Sequence, residues 1–381
     1  MAGKGIVITG EGIVSAIGND KKSVRTAIGG SRTGIGEMRY LQSEHHELPV
    51  GEVKLSDDEM KRLLDIPADR TVSRTTLLGI MAVREALRQS GVEKGASRRI
   101  ILISGTTVAG MDVTDKNFGK MLAAAGDKQE SFDLSWLGHH DCGSRTEDIA
   151  HYFGIFDDFT TTSTACSSAT NAIILGADML KAGDADIVVA GGTEALSRFH
   201  LDGFNSLMIL DHDICRPFDS SRNGLNLGEG AAYVVMERED EARERGATID
   251  AWLSGYGNAC DAYHQTASSP EDTGAQMAMR EALAMAGMKS ADIQWVHAHG
   301  TGTQNNDSSE VVAIDRVFGD TTPLVTSTKG FTGHTTSASG AIAAVISILA
   351  MHDGFVPVSL GTENPISKAI PTAQSPIKTE L

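Results

Sequence analysis

Amphipathic helical patterns and short apolar runs alternate along the chain, and this alternation occurs twice. Residues 83–92 (VREALRQSGV) have the apolar spacing of a helix and end near a glycine, and residues 279–288 (MREALAMAGM) repeat the pattern with an offset of 196 positions. A β-prone run follows each copy, at residues 99–105 (RIILISG) and 294–300 (QWVHAHG). Alternating helices and strands predict parallel strands joined by crossover helices.

A second pair of segments supports the repeat. Residues 164–183 (TACSSATNAIILGADMLKAG) have a helical pattern that ends at a glycine, and the apolar run 185–191 (ADIVVAG) follows them. Residues 337–354 and 355–361 (FVPVSLG) show the same order. The chain therefore contains two copies of the same series of predicted elements.

The spacing of the copies predicts the domain organisation. The offset falls from 196 to 171 residues, because Gly183 matches Gly354. About 25 additional residues therefore belong to the first copy, and we place them at about 111–158 as an inserted cap or dimerisation region. We predict two α/β halves, residues 1–245 and 246–381, related by a pseudo-twofold axis. Residues that begin corresponding helices should then meet near the centre.

The two halves differ at their ends. The first half contains a late apolar run at residues 231–237 (AAYVVME), whereas only 20 residues follow Gly361 in the second half. Those 20 residues contain no comparable β-prone run. We therefore expect the second half to lack its last strand.

Composition and charge narrow the class of protein. Apolar residues make up 41% of the chain, and 33 basic against 50 acidic residues give a formal net charge of −17. This charge disfavours nucleic acid and anionic membranes as partners, because both attract basic surfaces. The apolar run 340–351 (GAIAAVISILAM) is shorter than the ~20 residues that cross a bilayer, so it predicts a buried helix. Four cysteines without a CxxC pair indicate no disulfide framework, and we expect a cytoplasmic protein.

The first candidate for chemistry is Cys166. A threonine-rich, β-prone run precedes it, and it stands at the start of the predicted helix that continues to Ala182. The partial positive charge of a helix N-terminus favours the thiolate, and small flanking residues leave the sulfur accessible. The alternative is a buried, unreactive cysteine, which is the commoner role of this residue type.

Two glycine-rich segments supply histidines. In HAHGTGT, His299 stands at the carboxyl end of a predicted strand, where open α/β proteins bind ligands, whereas His297 is more readily structural. A metal site is the alternative for this pair, but no third ligand has a characteristic spacing, so we expect no metal and no cofactor. In KGFTGH, His334 directly precedes the buried helix. One cysteine and two histidines suggest covalent catalysis with proton transfer or oxyanion stabilisation.

These three segments resemble the motifs of one family. TACSSA around Cys166, AHGTGT followed by Asp307 and Glu310, and KGFTGH resemble those of the β-ketoacyl-acyl carrier protein synthases, of the elongating Cys-His-His type within the thiolase superfamily. The resemblance also includes DADIVVAGGTEA (184–195) and RPFDSSRNG (216–224). It implies an α/β protein with the duplicated βαβαβαββ thiolase-like fold in α/β/α/β/α layers, which agrees with the internal repeat.

The resemblance implies a 3-oxoacyl-[acyl-carrier-protein] synthase activity in fatty-acid or polyketide chain elongation. Cys166 would accept an acyl chain from a carrier-protein thioester, and a malonyl thioester would then lose CO₂ and attack the acyl-enzyme. His299 and His334 would stabilise the enolate oxygen, and Lys329 would add positive charge. The backbone N–H of Cys166 would be one donor of the oxyanion hole.

The same resemblance implies supporting residues and partners. Four residues are assigned to substrate binding, the two threonines as partners of the phosphopantetheine arm: Thr301, Thr303, Leu225 and Phe331. Asp307 and Glu310 are expected to fix the loop that bears His299. The implied partners are an acyl carrier protein and a second subunit, in a homodimer or in a heterodimer with a related chain. Arg70 and Arg74 are candidate docking residues for the acidic carrier, with ordinary solvated surface charge as the alternative.

Two positions and one segment depart from the family pattern. Ala343 stands where elongating enzymes have a glutamate, nine residues after His334, and Leu225 stands where a phenylalanine commonly gates the pocket. Residues 365–381 contain no Asn- and Gly-rich turn of the kind whose amide completes the oxyanion hole. A lost donor of that kind costs about 2.7–4 kcal/mol of transition-state stabilisation. The alternative function is therefore a non-catalytic partner that resembles a chain-length factor and binds acyl carrier protein, although such partners generally lack the nucleophile that Cys166 supplies.

Overall fold

The computed structural model describes residues 5–93, 95, 98–126, 135–264, 267–372 and 375–379. These residues form ten strands: β1 (Ile6–Ser15), β2 (Ile100–Gly105), β3 (Asp158–Thr162), β4 (Ile187–Glu194), β5 (Gly230–Arg238), β6 (Ala251–Leu253), β7 (Trp295–His297), β8 (Leu324–Thr326), β9 (Phe355–Val356) and β10 (Ile377–Lys378). Part of the predicted insertion, residues 127–134, lies outside the described residues, as do the extreme ends of the two predicted halves, residues 1–4 and 380–381.

Twelve α-helices lie in the same described residues. They are α1 (Lys21–Gly29), α2 (Asp57–Leu63), α3 (Arg74–Ser90), α4 (Met111–Gly126), α5 (Cys142–Phe153), α6 (Ser168–Ala182), α7 (Arg198–Ser206), α8 (Glu239–Glu244), α9 (Thr273–Ala286), α10 (Gln304–Phe318), α11 (Lys329–Thr332) and α12 (Ser339–Asp353).

Five strands of the first half and β6 form one mixed sheet. The strand order is β3-β2-β4-β5-β1-β6, in which β2 is parallel to β3 and β4, and β5 is antiparallel to β4 and β1. Every residue of β1, β2 and β4 is buried. Such burial is expected for central strands of a sheet that is covered by helices on both faces.

Helices cover both faces of this sheet. Ile100 and Leu102 of β2 pack in the core formed with α3 and α5, whereas the alternate residues Ile101 and Ile103 pack in the core formed with α6 and α12. Beyond the α6–α12 layer lie β7 and β8, which share a further core with α9 and α10. The result is the predicted α/β/α/β/α layering.

The two central helices approach each other closely. A Cβ atom on Gly340 would lie 2.0 Å from the Thr170 Oγ1 atom, so any larger residue at position 340 would force Thr170 to move away from α12. The segments that precede the two helices contain Cys166 and His334, which the pseudo-twofold relation predicted to meet. The fold therefore brings residues from both halves of the chain to one place.

The internal repeat is visible in the helices that end in glycine. Helix α3 ends at Gly91 and helix α9 ends at Gly287, and both glycines have a left-handed φ of 66°. Strand β2 follows α3, and strand β7 follows α9. This confirms the helix, glycine and strand order that the two Arg-Glu-Ala-Leu segments predicted.

The end of the second half requires a correction. Ile377–Lys378 forms the short strand β10, antiparallel to β9, although no strand was expected there. A two-residue strand leaves too short an apolar pattern to be read from sequence. In the described part of the chain, β7 pairs with β8 alone, whereas its counterpart β2 pairs with both β3 and β4. The repeat is therefore incomplete beside β7, and β9 does not occupy the position of β4.

Within the described part of the chain, one helical segment is long and apolar enough to cross a membrane by length and composition. It is Thr336–Asp353, which contains α12, and 61% of it is buried inside the fold. Its residues belong to the same core as β1, β4 and β5. The apolar run at 340–351 therefore forms the buried core helix that the sequence predicted.

The proposed docking role of Arg74 is wrong. Arg74 is only 5% exposed, and its side chain donates hydrogen bonds to both carboxylate oxygens of Glu229, at 2.6–3.0 Å. It also donates to Asp57 and to the Val53 carbonyl oxygen. The sequence did not reveal this burial because Arg74 is the first residue of a helix and its partners are distant in the chain. Arg70 is exposed and stays a candidate.

Candidate active site

Cys166 lies in a sharp bend between strand β3 and helix α6. The preceding residue, Ala165, has a φ of 52°, in the left-handed region that costs a non-glycine residue free energy. Ser168 holds the bend, because its Oγ accepts the Thr164 N–H at 2.9 Å and donates to the Ala165 carbonyl oxygen at 2.6 Å. The bend directs the Cys166 thiol towards residues of the second half.

His334 contacts the thiol directly. Its Nε2 atom lies 3.2 Å from Cys166 Sγ. Its Nδ1 atom accepts the Thr336 backbone N–H at 3.1 Å, and the Ser339 hydroxyl lies at the same distance. Because Nδ1 is an acceptor, the proton of the neutral ring is on Nε2. His334 therefore donates a hydrogen bond to the sulfur, and in this form it is not a base for the thiol.

His299 and Lys329 complete the centre. The ring centroids of His299 and His334 are 5.0 Å apart, with the ring planes at 84°. The Lys329 ammonium donates to the His299 carbonyl oxygen at 2.8 Å and faces its Nδ1 atom at 3.5 Å. An ammonium beside Nδ1 again favours a proton on Nε2. The cysteine and both histidines thus converge as the three motifs predicted.

Burial and the Lys329 ammonium together determine the protonation states of the side chains at the site. Burial holds the pKa values of His299 and His334 well below the ordinary histidine value, and the Lys329 charge lowers both further. Burial also lowers the pKa of Lys329 and raises that of the Cys166 thiol, which Lys329 partly opposes. The helix N-terminus was expected to favour the thiolate, but burial outweighs that effect. Both histidines are neutral N–H donors at neutral pH.

Two carboxylates hold the loop after His299. Glu310 accepts the backbone N–H groups of His299 and Gly300 at 2.7 and 2.8 Å, and burial raises its pKa to about 7. Asp307 accepts the N–H groups of Thr301 and Gly302. These contacts are those expected of residues that support the loop bearing His299.

The other predicted substrate contacts lie around this centre. The hydroxyls of Thr301 and Thr303 are 2.9 Å apart on the same loop. Leu225 and Phe331 are buried, and neither lines the cavity of about 520 Å³ that opens beside Cys166. Their assignments to substrate binding stay predictions.

His297 is held on both sides. Its Nδ1 and Nε2 atoms each lie 2.9 Å from a hydroxyl, of Ser347 and Thr328 respectively. Burial lowers its pKa to about 3, with Lys329 as the second cause. Both ring nitrogens are engaged, which fits the structural role expected for this residue.

A metal ion could use the same three side chains. The ligand atoms of Cys166, His299 and His334 all lie within 4.8 Å of one another. The sequence gave no third ligand for a histidine pair, because Cys166 is more than 100 residues from either histidine. The adjacent Lys329 ammonium opposes a second cation. The expected absence of a metal stays a prediction.

Sequence reasoning missed the residues that orient His334. Thr336 and Ser339 set its tautomer, and the Phe204 ring packs edge-on against it with centroids 6.5 Å apart. The hydroxyl residues that directly follow KGFTGH were the available signal. Phe204, which is 130 positions away, gave none.

Comparisons with known proteins agree with this geometry. Residues 4–242 match the model of the β-ketoacyl synthase N-terminal domain, and residues 251–363 match that of the C-terminal domain. Nodulation protein E of Rhizobium meliloti (strain 1021) is 34% identical over 370 residues, which cover 94% of this chain and 89% of that protein.

A second curated relative and a solved structure also match almost the whole chain. The 3-oxoacyl-[acyl-carrier-protein] synthase 2 of Staphylococcus aureus (strain COL) is 33% identical over 374 residues, which cover 95% of this chain and 89% of that enzyme. A chain of the ishigamide ketosynthase/chain length factor structure superposes with a TM-score of 0.91 at 29% identity, covering 100% of this chain and 94% of its own. The chain therefore belongs to the β-ketoacyl synthase family and has its thiolase-like fold.

Proposed function

We propose that this chain is an active condensing enzyme, a 3-oxoacyl-[acyl-carrier-protein] synthase that elongates an acyl chain bound to Cys166. The observation that supports this most directly is the 3.2 Å contact between Cys166 Sγ and His334 Nε2, with the His334 tautomer fixed as an Nε2–H donor. A neutral N–H donor at this position stabilises a sulfur anion through a hydrogen bond.

The arrangement of Cys166, His299 and His334 suits both half-reactions of a condensation. In the first half-reaction, the Cys166 sulfur attacks the carbonyl carbon of an acyl-carrier thioester, the carbon–sulfur bond to the carrier breaks, and the proton of the Cys166 thiol passes to the departing carrier sulfur. In the second half-reaction, a malonyl thioester loses CO₂, and the electron pair of the broken bond forms an enolate. The Nε2–H groups of His299 and His334 would stabilise its oxygen. The enolate carbon then attacks the acyl-enzyme, and Cys166 leaves as the thiolate.

Intact mass spectrometry tests the first half-reaction, acyl transfer to Cys166, directly. We expect the protein, incubated with an acyl-carrier thioester, to gain the mass of one acyl group, and we expect the Cys166→Ala variant to gain none. An adduct of equal yield on that variant would place the acyl group elsewhere. No adduct on the unaltered protein would favour the non-catalytic, chain-length-factor-like alternative.

We further propose that a second subunit binds along strand β3. This strand is the edge of the large sheet, and its first three residues are exposed. Phe159 is 36% exposed there, although its ring packs against His151. An unpaired strand edge with an exposed aromatic side chain is suited to pairing with another chain. The ishigamide structure is named as a ketosynthase with a chain length factor, which favours a partner of the same family.

Substitution at this edge should weaken the dimer. We expect Phe159→Asp to raise the dimer dissociation constant about tenfold or more, because a buried carboxylate would replace apolar contact. Sedimentation velocity over a concentration series measures this constant. The matched control is Trp252→Asp, which changes a 53% exposed aromatic residue on β6. Equal effects of the two substitutions would contradict an interface on β3.

A further inference from the structure

The Lys329 ammonium is a buried charge with no ion-pair partner among the described residues. The residue is 8% exposed, and Nζ contacts the carbonyl oxygen and the Nδ1 atom of His299. In the described residues, no carboxylate lies within the 4.0 Å of an ion pair with Nζ. The carboxylate with the largest effect on the Lys329 pKa is Glu310, whose two oxygens already accept the N–H groups of His299 and Gly300. The described residues thus provide two acceptors for the three ammonium protons.

A cavity lies beside this ammonium. Its volume is about 520 Å³, and Lys329 lines it together with small residues of α12 and polar residues of α6. The α12 face is formed by the following residues: Ser339, Gly340, Ala343, Ala344 and Ser347. None of the lining residues is acidic, and Cys166 and His299 form the side nearest the catalytic centre. The cavity therefore lies directly beside the Lys329 ammonium.

The small side chain at position 343 is what leaves this space. Ala343 lies one helical turn before Ser347, and the Ser347 hydroxyl donates to the Ala343 carbonyl oxygen and contacts His297. A longer acidic side chain at this position would extend into the cavity that Lys329 lines. With alanine there, the cavity wall offers no carboxylate to Lys329.

We propose that this cavity binds a small carboxylate-type anion, of the size of formate or bicarbonate, as the counter-ion of Lys329. A planar oxyanion would accept the free ammonium proton in a charge-assisted hydrogen bond, which is roughly twice as strong as a neutral one. Its second oxygen can accept a proton from solvent or from a hydroxyl on the cavity wall, such as Thr170. The anion comes either from solution or from the carboxylate of a malonyl substrate.

Thermal unfolding of the substrate-free protein tests this binding without any enzyme assay. We expect sodium formate, added at constant ionic strength against sodium chloride, to raise Tm saturably by about 1–3 °C, because a ligand that binds only the folded state stabilises it. Equal responses to formate and chloride would overturn the proposal. The result is independent of acyl transfer to Cys166, so it stands or fails separately from the proposed activity.

Two matched variants at one position identify the site. Ala343→Glu supplies a carboxylate within the chain, so we expect a higher Tm and no further response to formate. Ala343→Gln has the same shape without the charge, so we expect the formate response to disappear with no gain in Tm. A formate response that persists in both variants, or a lower Tm for Ala343→Glu than for Ala343→Gln, would contradict binding beside Lys329.

Competition then identifies the source of the anion. If formate raises the KM for a malonyl thioester in proportion to its occupancy of the cavity, the carboxylate of the substrate uses the same position. If formate stabilises the protein and leaves that KM unchanged, the anion comes from solution. Both results keep the cavity as an anion site, and they differ only in the molecule that occupies it.

Discussion

The His334→Phe variant is expected to lose condensation by about 10²–10³-fold, the effect of removing one preorganised donor from an anion-stabilising site. Phenylalanine keeps the ring that packs against Phe204 but removes the Nε2–H that points at Cys166 Sγ. Both half-reactions should slow, because the same donor faces the sulfur and the developing enolate. Single-turnover acyl transfer, measured by intact mass, and release of CO₂ from a malonyl thioester report the two halves separately.

The second histidine gives a sharper comparison. Among the described residues, His334 is the histidine that contacts the sulfur. His299→Phe removes the other donor, so we expect decarboxylation to fall while the acyl adduct on Cys166 still forms. His297→Gln is the matched control, because that histidine lines the same cavity but has both ring nitrogens engaged by hydroxyls. Decarboxylation that is unchanged in the His299 and His334 variants would remove both residues from the proposed mechanism.

The sequence was sufficient to predict the elements of the fold that occur in both copies of the repeat. The two Arg-Glu-Ala-Leu helices, their terminal glycines and the strands after them lie where the periodicity placed them. Convergence of Cys166 with His334 followed from the same repeat, because each residue precedes one of two corresponding helices, α6 and α12. A periodic pattern combined with an internal duplication thus located the candidate site across 168 residues.

Other features depend on tertiary contacts that no local pattern encodes. The tautomer of His334 is set by a backbone N–H of Thr336, a residue with a left-handed φ of 44°. The raised pKa of the Cys166 thiol follows from its burial, which outweighs the helix terminus that the sequence does reveal. Lys329 has no ion-pair partner among the described residues because of where the surrounding carboxylates lie in the fold, and the sequence does not give those positions.

Arg74→Met is expected to destabilise the fold by about 3–5 kcal/mol, because removing one partner leaves the other buried charge uncompensated. The pair is buried on both sides, with side-chain exposures of 6% for Arg74 and 1% for Glu229. Glu229 also accepts the backbone N–H groups of Val53 and Leu196, so its carboxylate cannot turn towards solvent without breaking both. Guanidinium denaturation followed by circular dichroism measures the loss.

Two further variants test whether the loss of stability comes from the uncompensated charge of Glu229. Arg74→Met combined with Glu229→Gln removes both charges and keeps one acceptor oxygen for the two backbone N–H groups of Val53 and Leu196. Since an uncompensated buried charge costs more than one lost hydrogen bond, we expect it to be more stable than Arg74→Met alone by about 1 kcal/mol. Arg70→Met removes an exposed arginine four residues earlier and should change stability by no more than about 0.5 kcal/mol. If Arg74→Met cost no more than Arg70→Met, solvent would be screening the Arg74–Glu229 pair. Arg74 would then again be accessible to an acidic partner.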